Sequence, residues 1–227
     1  MRRLILAAGG LLVAAATAVG AAPAAAAQET GSVYVVHGIP DTPVDIYVDG
    51  SRALDDLQPG ASAGPVDLPA GARDVKIFPA NAVDGTGNPL LQAQADVPAG
   101  GNVTLVAHLT EAGRPAVTPF ANDVSAVPAG QARVVVRHTA AAPAVDVLAG
   151  GSPVVKDLAN PEQEALQVPA GTIQASVAAA GTTNPVLGPA ELTLQEGSAT
   201  FVHAIGSLPG GNLSLVTVTV DGLPSAR

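Results

Sequence analysis

Two histidine–aspartate pairs at one spacing are the residues of this chain best suited to do chemistry. Asp45 lies eight residues after His37, and Asp146 eight residues after His138. Each histidine closes a β-branched run, Val33-Tyr34-Val35-Val36-His37 and Arg133-Val134-Val135-Val136-Arg137-His138, and each aspartate opens the next. The two side chains are expected to face each other across the connecting loop. A carboxylate on Nδ1 raises imidazole basicity, which a general base or a metal ligand would use. The same hydrogen bond would also pin a Pro-containing loop at the end of a sheet. Its occurrence in both copies of a repeat suits a requirement of the fold, so His37, Asp45, His138 and Asp146 are read as structural. No catalytic, cofactor-binding or metal-ligating residue is assigned, and no cofactor is expected. The chain has no cysteine, which excludes disulfides, thiol catalysis and thiolate metal sites.

Other motifs fall away on context. Gly60-Ala61-Ser62-Ala63-Gly64 has the spelling of a hydrolase nucleophile elbow, but that elbow needs a strand before it and a helix after it. Here Pro59 precedes it and Pro65-Val66-Asp67-Leu68 continues as a strand, so a small-residue loop is expected. Asp84-Gly85-Thr86-Gly87-Asn88 offers oxygen ligands without the spacing of a calcium loop, and reads as a turn. Asp41, Asp45 and Asp49 lie four apart, but only the middle one recurs in the second copy, as Asp146. Aligning Gly101 with Gly197 sets Ala107 against His203 and His108 against Ala204. The two imidazoles then fall on opposite faces, as unrelated and partly exposed strand histidines. Asn102-Val103-Thr104 and Asn212-Leu213-Ser214 are formal sequons, expected to be strand residues.

The elements that would position these residues come in two sets. Beyond the His–Asp pairs, Leu68-Pro69-Ala70-Gly71 recurs as Val168-Pro169-Ala170-Gly171, and Asn88-Pro89-Leu90 as Asn184-Pro185-Val186. The period is the size of one small domain and too long for a solenoid. Strands are expected near 32–37, 44–49, 65–68, 73–78, 91–96, 102–109 and 115–119, and near 133–138, 145–149, 165–168, 172–178, 190–195, 198–205 and 212–220. Alternation is clearest in Leu213 to Val220, and Gly, Pro and Asp-Gly separate the runs. Only Pro161 to Ala165 suggests a single helical turn. Seven short strands per copy argue an all-β fold of two tandem immunoglobulin-like β-sandwich domains after a signal peptide. The boundaries read as 1–27 for the signal peptide, 28–121 for the first sandwich, 122–131 for a linker and 132–227 for the second. Val, Leu and Ala stand in for aromatics, so each core should be thin and moderately stable.

These residues resemble the domain of unknown function numbered 4397. The first copy carries the pattern from Val33 through His37, Pro40, Pro43, Val44, Asp45, Tyr47, Asp49 and Gly50 to Leu68-Pro69-Ala70-Gly71. The second keeps His138, Pro143, Val145, Asp146 and Val168 to Gly171, with Leu148 for the tyrosine and Gly150-Gly151 for the Asp-Gly turn. The resemblance implies an exported bacterial protein, commonly actinobacterial, with an immunoglobulin-like fold. It implies no activity, substrate or catalytic residue.

Composition bounds what remains. Arg2 and Arg3, the uncharged run Leu4 to Val19 and Ala25-Ala26-Ala27 before Gln28 form a secretory signal cleaved after Ala27. The run is shorter than the roughly 20 residues that span a bilayer, and no second apolar run follows, so the mature chain is expected to have no membrane span. Of 10 basic residues Arg2 and Arg3 leave with the signal, so the formal charge of −9 becomes more negative. Nucleic acid is therefore an improbable partner. The expected product is secreted, either released or envelope-associated, a non-enzymatic structural or protein-interaction module. Alternatives are a module for envelope polysaccharide, which would need exposed aromatics among Tyr34, Tyr47, Phe78, Phe120 and Phe201, and a hydrolase using His37 and Asp45.

Overall fold

Val-, Leu- and Thr-rich runs between Gly and Pro turns can satisfy their backbone donors only by pairing with one another. A computed structural model describes residues 29–226, and among them there is no helix. The first half holds β1 (Thr30–His37), β2 (Val44–Val48), β3 (Ser51–Leu57), β4 (Ser62–Pro69), β5 (Gly71–Pro79), β6 (Leu91–Val97), β7 (Asn102–Leu109) and β8 (Pro115–Ala121). A short β9 (Val127–Pro128) follows. The second half holds β10 (Gln131–His138), β11 (Val145–Ala149), β12 (Ser152–Leu158), β13 (Gln163–Pro169), β14 (Gly171–Ala179), β15 (Pro185–Leu194), β16 (Ala199–Ile205) and β17 (Ser214–Val220). At the end β18 (Ser225–Ala226) pairs with β9. The expected signal segment, 1–27, lies outside the described residues.

Each half is a β-sandwich of two four-stranded sheets. The sheets are β4-β1-β7-β8 and β3-β2-β5-β6 in the first half, and β13-β10-β16-β17 and β12-β11-β14-β15 in the second. All pairs within these sheets are antiparallel except β1 with β7 and β10 with β16, which run parallel. The all-β sandwich expectation holds, with eight strands per half where seven were expected. The unforeseen strands are β3 and β12, and both are bulged. Between the pairs Val44–Leu57 and Ile46–Leu54, β3 carries one residue more than β2. Likewise β12 has an extra residue between Val145–Leu158 and Val147–Val155. Asp56 and Asp157 sit in these bulges at φ of 51° and 54°, and the inserted residue breaks the period-two pattern that marks a strand. The helical turn expected at Pro161 to Ala165 does not form, because β13 takes up the chain from Gln163 in register with β10.

Three apolar clusters hold the molecule. Val33, Val35, Ile46, Ile77 and Leu105 belong to the core of the first sandwich, and Val134, Val136, Val147, Val177 and Val202 to that of the second. The third lies between the sandwiches, joining Val36, Val106 and Phe120 to Val135, Phe201, Ile205 and Val216. The sheets therefore stack in four layers, with the two inner ones covered on both faces. This is why β7 and β16 are buried at almost every position, where a one-sided strand would alternate. Segment 122–130 follows the stack, with Asn122 buried and Val127 1% exposed.

Candidate functional site

Neither histidine meets its aspartate. The reason is strand parity: His37 shares its face of β1 with Val33 and Val35 and looks into the sandwich, whereas Asp45 alternates with the core residues Val44 and Ile46 and looks out. His37 Nε2–H donates to the Thr42 carbonyl at 2.7 Å. His138 Nε2–H donates to the Pro143 carbonyl at 3.0 Å, with Ala142 at 3.2 Å. Each histidine thus fastens the loop that follows its strand. Burial holds both imidazoles below their ordinary pKa, against the opposing pull of those carbonyls. Both are neutral at pH 7, with the proton on Nε2.

The aspartates fasten a different place. Asp45 Oδ1 accepts the Asp56 N–H at 2.8 Å and Oδ2 the Ala82 N–H at 3.0 Å. Asp146 repeats the arrangement, with Asp157 N–H at 2.9 Å and Gly181 N–H at 3.0 Å. One oxygen holds the bulge of β3 or β12, and the other holds the loop after β5 or β14. Asp45, Asp55 and Asp56 bring carboxylate oxygens within 4.8 Å of one another. A guanidinium already serves them: Arg52 Nη1 lies 2.6 Å from Asp55 and 3.7 Å from Asp45.

The remaining motifs are absorbed by the fold. Ser62 lies in β4 opposite Val36, so the Gly-x-Ser-x-Gly segment is half strand rather than the loop expected. Gly64 is confined there by φ of 118° and by the Val33 carbonyl, 2.8 Å from where a Cβ would stand. Asp84 turns its carboxylate on Thr86 two residues on, as a turn aspartate does. Asp49 binds Arg73 at 2.9 Å, away from any cluster with Asp41. Asn102 accepts a hydrogen bond from Asn122. Asn212 caps the Ser207 N–H from the loop before β17, rather than from within a strand. Tyr47, Phe78, Phe120 and Phe201 are buried, and Tyr34 packs against the cluster between the sandwiches. Among the described residues, four of these five rings are thus buried and the fifth, Tyr34, is half-buried.

His108 and His203 correct the sequence reading. Both are buried, 1% and 0% exposed. Ala107 pairs with His37 and Ala204 with His138, so the offset of this strand is one residue more than the glycines suggested. Both imidazoles then face the layer between the sandwiches. His108 is satisfied by Thr118 Oγ1 at 2.8 Å and the Leu109 carbonyl at 3.0 Å. Neither nitrogen of His203 has a partner. Burial, and secondarily the nearby Arg137, push its pKa down to about 3.

Arg137 is the residue that sequence reasoning missed. It is wholly buried, its guanidinium lying 4.6 Å from the Phe120 ring centre and 4.7 Å from that of Phe201. Its Nε donates to Gln163 at 2.9 Å and Nη2 to Asn122 at 2.7 Å. Burial lowers its pKa to about 9, which leaves it cationic at pH 7. Among the described residues no carboxylate pairs with it, so two ring faces and two amide oxygens hold the charge. The available signal was its place in the repeat, where Arg137 stands for the interior Val36.

A family model described as Domain of unknown function (DUF4397) matches residues 31–148, just over half of the chain. The matched stretch runs from β1 into β11 and includes His37, Asp45, His138 and Asp146. Among curated proteins none matches.

Proposed function

This chain belongs to the domain of unknown function 4397 family, and from that footing we propose that it is a secreted, non-enzymatic β-sandwich module. Its role is structural or protein-interacting, at the cell envelope or outside the cell. The observation that carries this reading is how the repeated polar residues are used. Both oxygens of Asp45 and of Asp146 are taken by backbone N–H groups, and each paired histidine is turned into a sandwich and neutral. A His–Asp hydrolase would need the two groups joined beside a cleft. A polysaccharide module would need exposed rings, and the burial of Tyr47, Phe78, Phe120 and Phe201, with Tyr34 half-buried, supports that reading less.

The partner-facing features are the open sheet edges. Strands β3 and β6 bound one outer sheet and β12 and β15 the other, and an extended segment of a partner could add to such an edge by main-chain hydrogen bonds. No helix among the described residues is long and apolar enough to cross a membrane. Fractionation of the producing cells tests the location. The protein is expected in the medium or the envelope fraction with Gln28 at its N-terminus. Retention in the cytoplasm with Met1 intact would overturn the reading.

A further inference from the structure

We propose that two copies of this chain pair through β6, edge to edge and antiparallel about a two-fold axis at Gln94, joining two outer sheets into one. The inference names a partner for the interaction reading, and rests on that reading only in using an open sheet edge.

The outer sheets end in β3, β6, β12 and β15, and all but β6 are blunted. Strands β3 and β12 carry the bulges at Asp56 and Asp157, and β12 also holds Pro153. Strand β15 holds Pro189 and shifts register against β14. Bulges and prolines guard an edge against strand addition. Strand β6 has neither, and it runs in unbroken register with β5 from the pair Ile77–Leu91 to the pair Gly71–Val97. The inner sheets are covered on both faces, so a strand added to one of them would have to be apolar on both sides.

The backbone parity of β6 follows from β5. The Asp74 carbonyl accepts the Asp49 N–H at 2.9 Å, so Asp74 and the residues alternating with it are turned to β2. Arg73, Val75 and Ile77 are then turned to β6, where they pair with Ala95, Ala93 and Leu91. The N–H and C=O groups of Gln92, Gln94 and Asp96 therefore point out from the edge, and all three residues are exposed. These groups fit a second copy of themselves. With Gln94 opposite Gln94 of the second copy, Gln92 meets Asp96 and Asp96 meets Gln92, each pair exchanging both main-chain bonds. Polarity matches on the two faces, with amide against amide and amide against carboxylate outside, and Ala93 against Ala95 and Leu91 against Val97 inside. A slip of two residues leaves Gln92 or Asp96 without a partner in the strand.

The test is sedimentation equilibrium of the purified protein up to about 1 mM, where small interfaces associate, with amide exchange measured at both ends of that range. Expected is a reversible dimer that tightens with added salt, because each copy is negatively charged. The amides of Gln92, Gln94 and Asp96 should gain protection with concentration, and those of Ala93 and Ala95 should not change. Gln94→Pro removes an outward N–H and no bond to β5, so it should abolish the dimer. Two lysine variants test the register without relying on that proline. Gln94→Lys sets like charges opposite each other and should weaken the dimer by on the order of threefold, with Asp74 beside it on β5 to accept the charge in the monomer. Gln92→Lys faces Asp96 of the second copy and should tighten it by about as much. A dimer with its protection elsewhere, or lysine variants that shift affinity in the same direction, would overturn the proposal. A monomer throughout would overturn it too, and would leave the envelope pull-down to judge the interaction reading by itself.

Discussion

Asp45 and Asp146 show how a repeated acidic residue can hold two separate stretches of backbone. Each is a buried carboxylate whose two oxygens take one backbone N–H apiece, from a bulge and from a loop. Asp45→Ala leaves two donors without their acceptor and should cost about 2–4 kcal/mol, read from the urea midpoint at unchanged slope. A loss under about 0.5 kcal/mol would show that the carboxylate does not hold the bulge. His203 governs a pH response. Folded, it takes a proton only below about pH 3; unfolded, it takes one near its ordinary 6.5. Between those values the unfolded chain binds more protons, so stability is complete above pH 6.5 and falls as pH drops toward 3. At pH 4 the loss from this residue is about 3 kcal/mol, and His203→Leu should flatten the pH dependence of the melting temperature by that share. A wild-type slope in the variant would contradict this. The aspartates were legible because they recur, but their partners are backbone N–H groups, which no letter of the sequence marks. The expected His–Asp contact failed for that reason: spacing was visible, and the opposite faces of β1 and β2 were not.

Elements were legible where side chains alternate and hidden where the backbone departs from the pleat. Strand β17, Ser214–Val220, announces itself by Val and Thr in turn. Strands β3 and β12 do not, because Asp56 and Asp157 insert a left-handed residue into each. That conformation costs a residue with a Cβ about 1–2 kcal/mol, and glycine none. Asp157→Gly should therefore be tolerated or slightly stabilising, while Asp157→Val should lose about 1–2 kcal/mol or more, both by chemical denaturation. A valine variant as stable as the glycine one would mean that the bulge is not fixed. The runs Val103 to Ala107 and Ala199 to Ile205 carried a second message. Their lack of alternation marks strands buried on both faces, and it identifies the two inner sheets of the stack.

At the scale of the molecule, two sandwiches gain a third core by stacking. Phe201 is its centre, 0% exposed and packed against Arg137, and Asn160 ties Leu109 of one half to Ala140 of the other at 2.9 and 2.6 Å. The two halves should unfold in one calorimetric transition, and Phe201→Ala should lower stability by about 3–5 kcal/mol and split that transition in two. Two transitions in the unmodified protein would show that the layers are independent. The run of short strands and turns gave the class of fold; the stacking was missed because Arg137, a charged letter, lies within the cluster that joins the halves. The proposed interaction role rests on the open sheet edges of such a stack. The most direct test is a pull-down of the producer's envelope with the purified protein, before and after protease treatment of that envelope. Saturable binding that protease abolishes is the predicted result. Binding that survives protease would instead assign the protein to glycan, and no binding to either preparation would contradict an envelope role altogether.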